Sequence, residues 1–311
     1  MNICYVNRTT ATLYERAATT MEKTYKDAST GKEEIVTVSS ISDEGLYGVP
    51  LLILEESGAY YKVRTHYSYE AYVQKCDVIC KEHILEQMVV ANQYVDVLSI
   101  PKVQGVPYMN LTTGCLIEVT KTTIDGYRKV VLLDGREGFV PEKYLMPKLF
   151  ATDVFDENGT ATDDHQFQNF LKQHLETYFE GSEDAFREAV TKTARSFYTG
   201  TQYRWGGKSP LGIDCSGMTS MSYMLNGILT YRDASIREHY PVKEIAREQM
   251  KKGDLLYFKG HIALYLGNDL YLHSTARAGS NGVDINSFNP KDKNYRKDLD
   301  EGLLKVGTIF W

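Results

Sequence analysis

The spacing of apolar residues in this chain changes once, near residue 163, and that change limits it to a β-rich half followed by a mixed half. Before it, short β-branched and aromatic runs alternate with Gly, Pro and Asp: Ile35-Val36-Thr37-Val38, Leu51-Leu52-Ile53-Leu54, Tyr60-Tyr61-Lys62-Val63, Leu116-Ile117-Glu118-Val119 and Arg128-Lys129-Val130-Val131. Short strands with regular turn signals predict small barrels or sandwiches. After it, Phe167, Phe170, Leu171, His174, Leu175 and Tyr178 fall at helical spacing behind an Asp163-Asp164 cap, and Gly181 stops the run. Ser182 can cap a second helix with Ala185, Phe186, Ala189, Val190, Thr193 and Phe197 on its apolar face and Gly200 at its end. His174 lies on an apolar face and is expected in the core. The polar strip 148–162, with Asp156-Glu157-Asn158-Gly159, suits a linker.

The β-rich half carries a weak repeat. Ser57-Gly58-Ala59-Tyr60-Tyr61-Lys62-Val63 leads to Tyr69-Glu70-Ala71-Tyr72-Val73-Gln74, and Ile124-Asp125-Gly126-Tyr127-Arg128-Lys129-Val130 leads to Gly135-Arg136-Glu137-Gly138-Phe139-Val140-Pro141. Repetition points to two copies of one module, over residues 1–84 and 85–147. The second copy resembles the end of a bacterial SH3-like (SH3b) barrel. Residues 148–181 are expected to be linker and helix, and 182–311 a further domain. The predicted class is α+β.

Composition excludes some functions. Lys and Arg number 35 against 41 Asp and Glu, a net charge of -6 without a basic block, so no nucleic-acid surface is expected. No apolar run approaches the ~18 residues of a membrane span. The start, Met1-Asn2-Ile3-Cys4-Tyr5, lacks the basic and apolar regions of a signal peptide, so a cytoplasmic location is expected, a secreted form remaining open. Five scattered cysteines (Cys4, Cys76, Cys80, Cys115, Cys215) do not form a disulfide framework, and Cys76 and Cys80 lack partners for a zinc site.

Cys215 stands apart. In Tyr203-Arg204-Trp205-Gly206-Gly207-Lys208-Ser209-Pro210-Leu211-Gly212-Ile213-Asp214-Cys215-Ser216-Gly217-Met218-Thr219, Gly206, Gly207, Pro210 and Gly212 force an irregular loop, Asp214 can cap a helix, and Cys215 falls in its first turn. The positive end of the helix is expected to favour a thiolate there. A base is offered by Gly260-His261-Ile262-Ala263-Leu264-Tyr265-Leu266-Gly267-Asn268-Asp269-Leu270-Tyr271-Leu272-His273-Ser274, a β-hairpin turning at Gly267-Asn268-Asp269. A three-residue loop sets Ala263 opposite His273, which makes His261 and His273 diagonal neighbours on one face, roughly 7–8 Å apart at Cα. One imidazole can then serve the thiol while the second orients the first.

These motifs, with Gly253-Asp254-Leu255-Leu256-Tyr257-Phe258 and Leu272-His273-Ser274, resemble the NlpC/P60 family of papain-like cell-wall peptidases over residues 182–311. Lys252 and Met218 depart from the usual Pro and Leu or Phe. The resemblance implies Cys215 as nucleophile, His261 as general base, His273 as orienting residue, and an oxyanion site from the Cys215 N–H and the Tyr203 hydroxyl. It implies hydrolysis of the amide between γ-D-glutamate and a diamino acid in peptidoglycan stem peptides, with no metal or cofactor. SH3b-like domains ahead of the catalytic domain resemble, more narrowly, γ-D-glutamyl-L-diamino-acid endopeptidases acting on murein peptides with a free N-terminal L-Ala. There the amine would be bounded by Asp233, with Ser216 beside the nucleophile, and by Tyr69, although Tyr69-Glu70-Ala71-Tyr72 departs from the expected Gly-Tyr-Pro-Gly-Trp-like pattern. Trp205 is expected to pack in the core. Two other readings stay open: a secreted hydrolase that binds intact wall through its SH3b domains, and an amidase or acyltransferase on the same fold.

Overall fold

A computed structural model describes residues 2–26, 30–82, 84–152 and 163–311. Most of the expected linker, 153–162, lies outside them.

The first sheet is built from β1 (Ile3–Val6), β2 (Thr10–Tyr14), β5 (Ile41–Leu46), β6 (Pro50–Ser57), β7 (Tyr60–Thr65), β8 (Glu70–Gln74) and β9 (Val78–Cys80), while β3 (Thr20–Lys26) and β4 (Glu33–Ser39) form a separate hairpin between β2 and β5. The second comprises β10 (Gln87–Val90), β11 (Val95–Leu98), β12 (Pro107–Leu111), β13 (Leu116–Ile124), β14 (Tyr127–Val131), β15 (Glu137–Pro141) and β16 (Leu145–Pro147). The strand orders, β5-β2-β8-β7-β6-β1-β9 and β12-β11-β15-β14-β13-β10-β16, are identical once the β3–β4 hairpin is set aside. The repeated segments of the sequence are the hairpins β7–β8 and β14–β15. Two SH3b-like β domains therefore precede the mixed half.

The helices begin where the caps predict. α1 (Asp164–Tyr178) is capped by the Asp163 carboxylate, which accepts from Gln166 N at 2.9 Å, and α2 (Glu183–Tyr198) by the Ser182 hydroxyl, which accepts from Ala185 N at 3.1 Å. His174 is buried with Nε2 2.7 Å from the Asn226 carbonyl, a packed core histidine as expected. After a two-strand ribbon, β17 (Lys208–Ser209) and β18 (Gly212–Ile213), comes α3 (Cys215–Met224). The third sheet runs β19-β24-β20-β21-β22-β23, from β19 (Lys243–Ile245), β20 (Leu255–Phe258), β21 (His261–Gly267), β22 (Leu270–Thr275), β23 (Gly282–Ser287) and β24 (Lys305–Thr308), with a short α4 (Lys297–Glu301) before the last strand. α3 lies against β21 and β22.

One buried cluster runs through both β domains and the mixed half, including Leu46 and Tyr47, Val89 and Leu116, and Met221 and Leu264. The junction is tight at Gly114 (φ +92°): a Cβ there would stand 2.6 Å from Met221 Cε and 2.7 Å from Leu46 Cδ1. No helix among the described residues is long and apolar enough to cross a membrane.

Candidate active site

Asp214 holds the start of α3 in place. Its Oδ1 accepts from Gly217 N at 2.6 Å, its Oδ2 accepts from Gly206 N at 2.9 Å, and Met218 N bonds its carbonyl at 3.0 Å. One carboxylate thus caps the helix and pins the Gly loop to it. Gly217 is required here, because a Cβ would lie 2.1 Å from the Gly207 carbonyl oxygen. Cys215, 7% exposed, occupies the first helical position. The first N–H groups of a helix have no partner within it. Gly217 and Met218 are bound as above, which leaves those of Cys215 and Ser216 for the sulfur or a substrate.

The expected hairpin forms. Leu264 pairs with Leu272 and Tyr265 with Tyr271, the register that sets Ala263 opposite His273. The turn is tighter than expected: Asn268 (φ 52°) and Asp269 (φ 62°) form a two-residue loop, and a bulge before Gly267 (φ 86°) absorbs the extra residue. The two imidazoles meet, with His261 Nε2 2.7 Å from His273 Nδ1. His273 is fully buried and its Nε2 lies 2.8 Å from Asn286 Oδ1. His261 Nε2 being engaged, only Nδ1 is left for the thiol. Cys215 sits against the start of the same strand, where the Ile262 N–H favours its thiolate.

Burial overrides the helix end. The Cys215 thiol is pushed up to about 11 by desolvation and by the Asp214 carboxylate, with the Ile262 N–H, Arg232 and the Ser216 N–H opposing. His261 is pushed down to about 3 by desolvation, His273 and Arg296. Removal from water thus works against the thiolate that the helix start was expected to favour.

Above Cys215 lies a cavity of about 370 Å³, lined by Tyr69, Tyr203, Trp205, Ser216 and Asp233 and, from the first β domain, also by Glu15 and Ser42. The cavity therefore brings together Cys215, Tyr203, Asp233, Ser216 and Tyr69. Desolvation raises both Tyr69 and Asp233, and Asp233 in turn raises Tyr69. The Ser216 hydroxyl is occupied, accepting from Arg232 Nη1 at 2.7 Å and lying 3.3 Å from Asp214 Oδ1. Trp205 is not in the core but 62% exposed, with its indole N–H donating to the Ile41 carbonyl at 3.0 Å. Gly206 (φ +75°) turns the loop so closely against Ile41 that a Cβ would lie 2.5 Å from its Cγ2.

A buried ion network joins the first β domain to this site. Arg232 Nε donates to Asp43 Oδ1 at 2.6 Å, and its Nη1 and Nη2 donate to Asp214 Oδ1 and Oδ2 at 3.1 and 3.0 Å. Lys208 Nζ stands 3.6 Å from Asp43 Oδ2 and 2.5 Å from the Tyr67 hydroxyl, which itself donates to Asp43. Glu44 accepts from Arg204 Nη1 at 2.9 Å and from Lys208 N at 3.0 Å.

The chain is similar to known proteins. Residues 200–298 match the model of the NlpC/P60 family. Dipeptidyl-peptidase 6 of Lysinibacillus sphaericus is 39% identical over 282 residues, which is 88% of this chain and 93% of that protein. The chain belongs to the NlpC/P60 family. The γ-D-glutamyl-L-lysine dipeptidyl-peptidase of Bacillus cereus is 30% identical over 115 residues, 34% of each chain. The crystal structure of an NlpC/P60 family protein from Bacillus cereus ATCC 10987 has a TM-score of 0.68 at 16% identity, covering 98% of both chains, so the fold extends through both β domains. The NlpC/P60 match includes Cys215, His261 and His273, and also Asn286, which sequence reasoning missed. It missed Arg232 and Asp43 too. An acidic pair, Asp43-Glu44, within a strand and an Arg beside Asp233 were the available signals.

Proposed function

We propose that this NlpC/P60 protein is a cysteine endopeptidase cleaving the γ-D-glutamyl–diamino acid amide of peptidoglycan stem peptides, acting on free murein peptides that begin with L-Ala in cell-wall recycling. The observation that carries this reading is the cavity. It is walled in part by the first β domain, and among the described residues its charged lining is Glu15, Asp214 and Asp233, without a lysine, arginine or histidine. Asp233 is held up by burial, with Arg232 opposing, and among the described residues only the Tyr231 hydroxyl donates to its carboxylate, at 3.3 Å. Such a carboxylate is matched by an ammonium, as a free L-Ala amine would supply. A β domain that builds the cavity and is fixed by buried ion pairs is better suited to bounding a short peptide than to carrying the enzyme along a polymer.

In this reading His261 Nδ1 takes the Cys215 proton as the sulfur attacks the γ-carbonyl carbon. The Cys215 N–H and the Tyr203 hydroxyl receive the oxyanion. The C–N bond breaks, the leaving amine takes the proton from His261, and a thioester remains. Water then gives its proton to His261 and attacks the thioester, releasing the D-Glu γ-carboxylate and restoring the thiol.

Mass spectrometry of products from L-Ala-γ-D-Glu-diamino acid peptides, free and N-acetylated, tests the proposal. Free peptide is expected to be cut at the γ-amide, acetylated peptide and intact sacculi far more slowly, and Cys215→Ala to be inactive yet folded. Equal rates on free and acetylated peptide would remove the amine reading, and turnover by Cys215→Ala would remove the nucleophile.

A further inference from the structure

We propose that Asn286 is a positioning residue for this centre: its side-chain carbonyl fixes the tautomer of His273 and, through it, leaves the lone pair of His261 facing Cys215. The inference rests on the cysteine–histidine reading above and concerns a residue that reading does not use.

The placement follows from register. Tyr271 pairs with Asn286 and His273 with Asp284, so Asn286 is the diagonal neighbour of His273 on the same face of the sheet. His261, His273 and Asn286 thus form one row across β21, β22 and β23, each joined to the next by a contact of 2.7 or 2.8 Å. Asn286 is 8% exposed, so water cannot replace it freely.

An amide can present either its oxygen or its nitrogen, and here its surroundings choose. Nδ2 donates to the Asn294 carbonyl at 2.9 Å. That carbonyl also accepts from Ser287 N at 3.1 Å, and the Asn294 amide is tied to the Ile285 carbonyl at 2.9 Å. A reversed amide would set oxygen against oxygen at Asn294. Oδ1 therefore faces His273, and a carbonyl oxygen can only accept. The neutral His273 then carries its proton on Nε2 and accepts on Nδ1. His261 Nε2 must be the donor in that contact, and its Nδ1 is left basic. A chain of assigned protons, ending in an uncharged group anchored to backbone, keeps the base in its working form.

An uncharged terminus has a further effect. Besides His261, the charged groups that act on His273 are Arg296, which disfavours its protonation, and Asp284 and Asp298, which favour it; desolvation is the largest influence and opposes charge. Asn286 supports protonation without supplying a counter-ion, so the imidazolium formed in the reaction is held on His261 without being trapped.

The experiment uses the full chain and two variants. Asn286→Leu keeps the size and removes the acceptor, and Asn286→Asp keeps an acceptor against His273. Nitrogen-15 NMR of the histidine rings is expected to show a protonated Nε2 on His273 in the wild type and to lose that preference in Asn286→Leu. Alkylation of Cys215 by iodoacetamide, read across pH by peptide mass spectrometry, is expected to be at least several-fold slower in Asn286→Leu. With the peptide substrate, kcat is expected to fall about 10- to 100-fold with KM little changed, since misorientation of a reacting group acts on this scale. Asn286→Asp, which keeps the acceptor for His273 but sets its second oxygen against the Asn294 carbonyl, is expected to recover part of kcat, with the acid limb of its pH profile moved to higher pH. A wild-type His273 protonated on Nδ1, or an Asn286→Leu enzyme with wild-type kcat and alkylation profile, would overturn the proposal. The NMR and alkylation need no substrate, so they decide the role of Asn286 even where none of the tested peptides is cut. If Asn286→Leu does not fold, the wild-type tautomer and Asn286→Asp carry the decision.

Discussion

Asp43→Asn isolates the ion network that fastens the first β domain to the catalytic half. Asp43 is fully buried, with two cationic groups beside it: Arg232 Nε at 2.6 Å and Lys208 Nζ at 3.6 Å. The amide is nearly the same size, so the change removes charge and leaves the packing. One pair of unit charges near 4 Å apart is worth about 4 kcal/mol at an effective dielectric constant of 20. Removing one member of a buried pair generally costs about 3–5 kcal/mol. The expected loss is therefore about 3–5 kcal/mol near neutral pH. Lys208 gives the effect a pH signature. Desolvation, its largest influence, already holds it down to about 8, while Asp43 is the leading influence that supports its charge. A lysine whose folded-state value lies below its ordinary 10.5 favours the folded state increasingly as pH rises through that interval. Without Asp43 the lower edge of the interval moves below 8, so the variant regains stability at pH values where the wild type has yet to gain any. Urea unfolding of both proteins at pH 6.5 and 8.5 should show the gap narrowing as pH rises. A gap under about 1 kcal/mol, far below the buried-pair range, or one that stays constant between the two pH values, would refute the reasoning.

Three other outcomes follow from the structure. His66 is 1% exposed, neither ring nitrogen has a hydrogen-bond partner among the described residues, and burial pushes it down to about 3. Because its folded-state value is depressed, stability is lost as pH falls below about 6.5 toward the folded value, by about 2 kcal/mol at pH 5; His66→Phe should lose that slope in urea titrations at pH 7.5 and 5, and parallel slopes would contradict this. Gly114→Ala should lower Tm by several degrees more than Gly126→Ala, since both glycines have positive φ but only Gly114 has side-chain atoms within 3 Å of a new Cβ; equal shifts would show that the junction yields. Tyr203→Phe should reduce kcat about 100-fold, the lower end of the range for one lost oxyanion donor, with KM nearly constant; unchanged kcat would remove Tyr203 from the oxyanion site.

Features set by neighbours in the chain were legible in the sequence. Asp163, Ser182 and Asp214 cap the helices that follow them because a cap acts over three residues. The histidine pair was legible because strand period and hairpin register are short-range, and the bulge before Gly267 left the pairing of Tyr265 with Tyr271 unchanged. What escaped was set by distant partners. Arg232 meets Asp43 across 189 positions and Trp205 meets Ile41 across 164, so no local pattern announces either. The pull of burial on the Cys215 thiol escaped for another reason. The helix start is written locally, but the depth at which the whole fold buries it is not.

The network around Arg232 has a consequence for dissecting this enzyme. Its guanidinium finds one carboxylate on its own half of the chain and the other on the opposite half. A catalytic fragment expressed alone would carry an arginine stripped of half its counter-charge, pulling on the residue that caps the helix of Cys215. The first barrel is thus less an accessory that could be exchanged for another than a missing piece of the catalytic half's own interior, and transplants of the peptidase should move the two together.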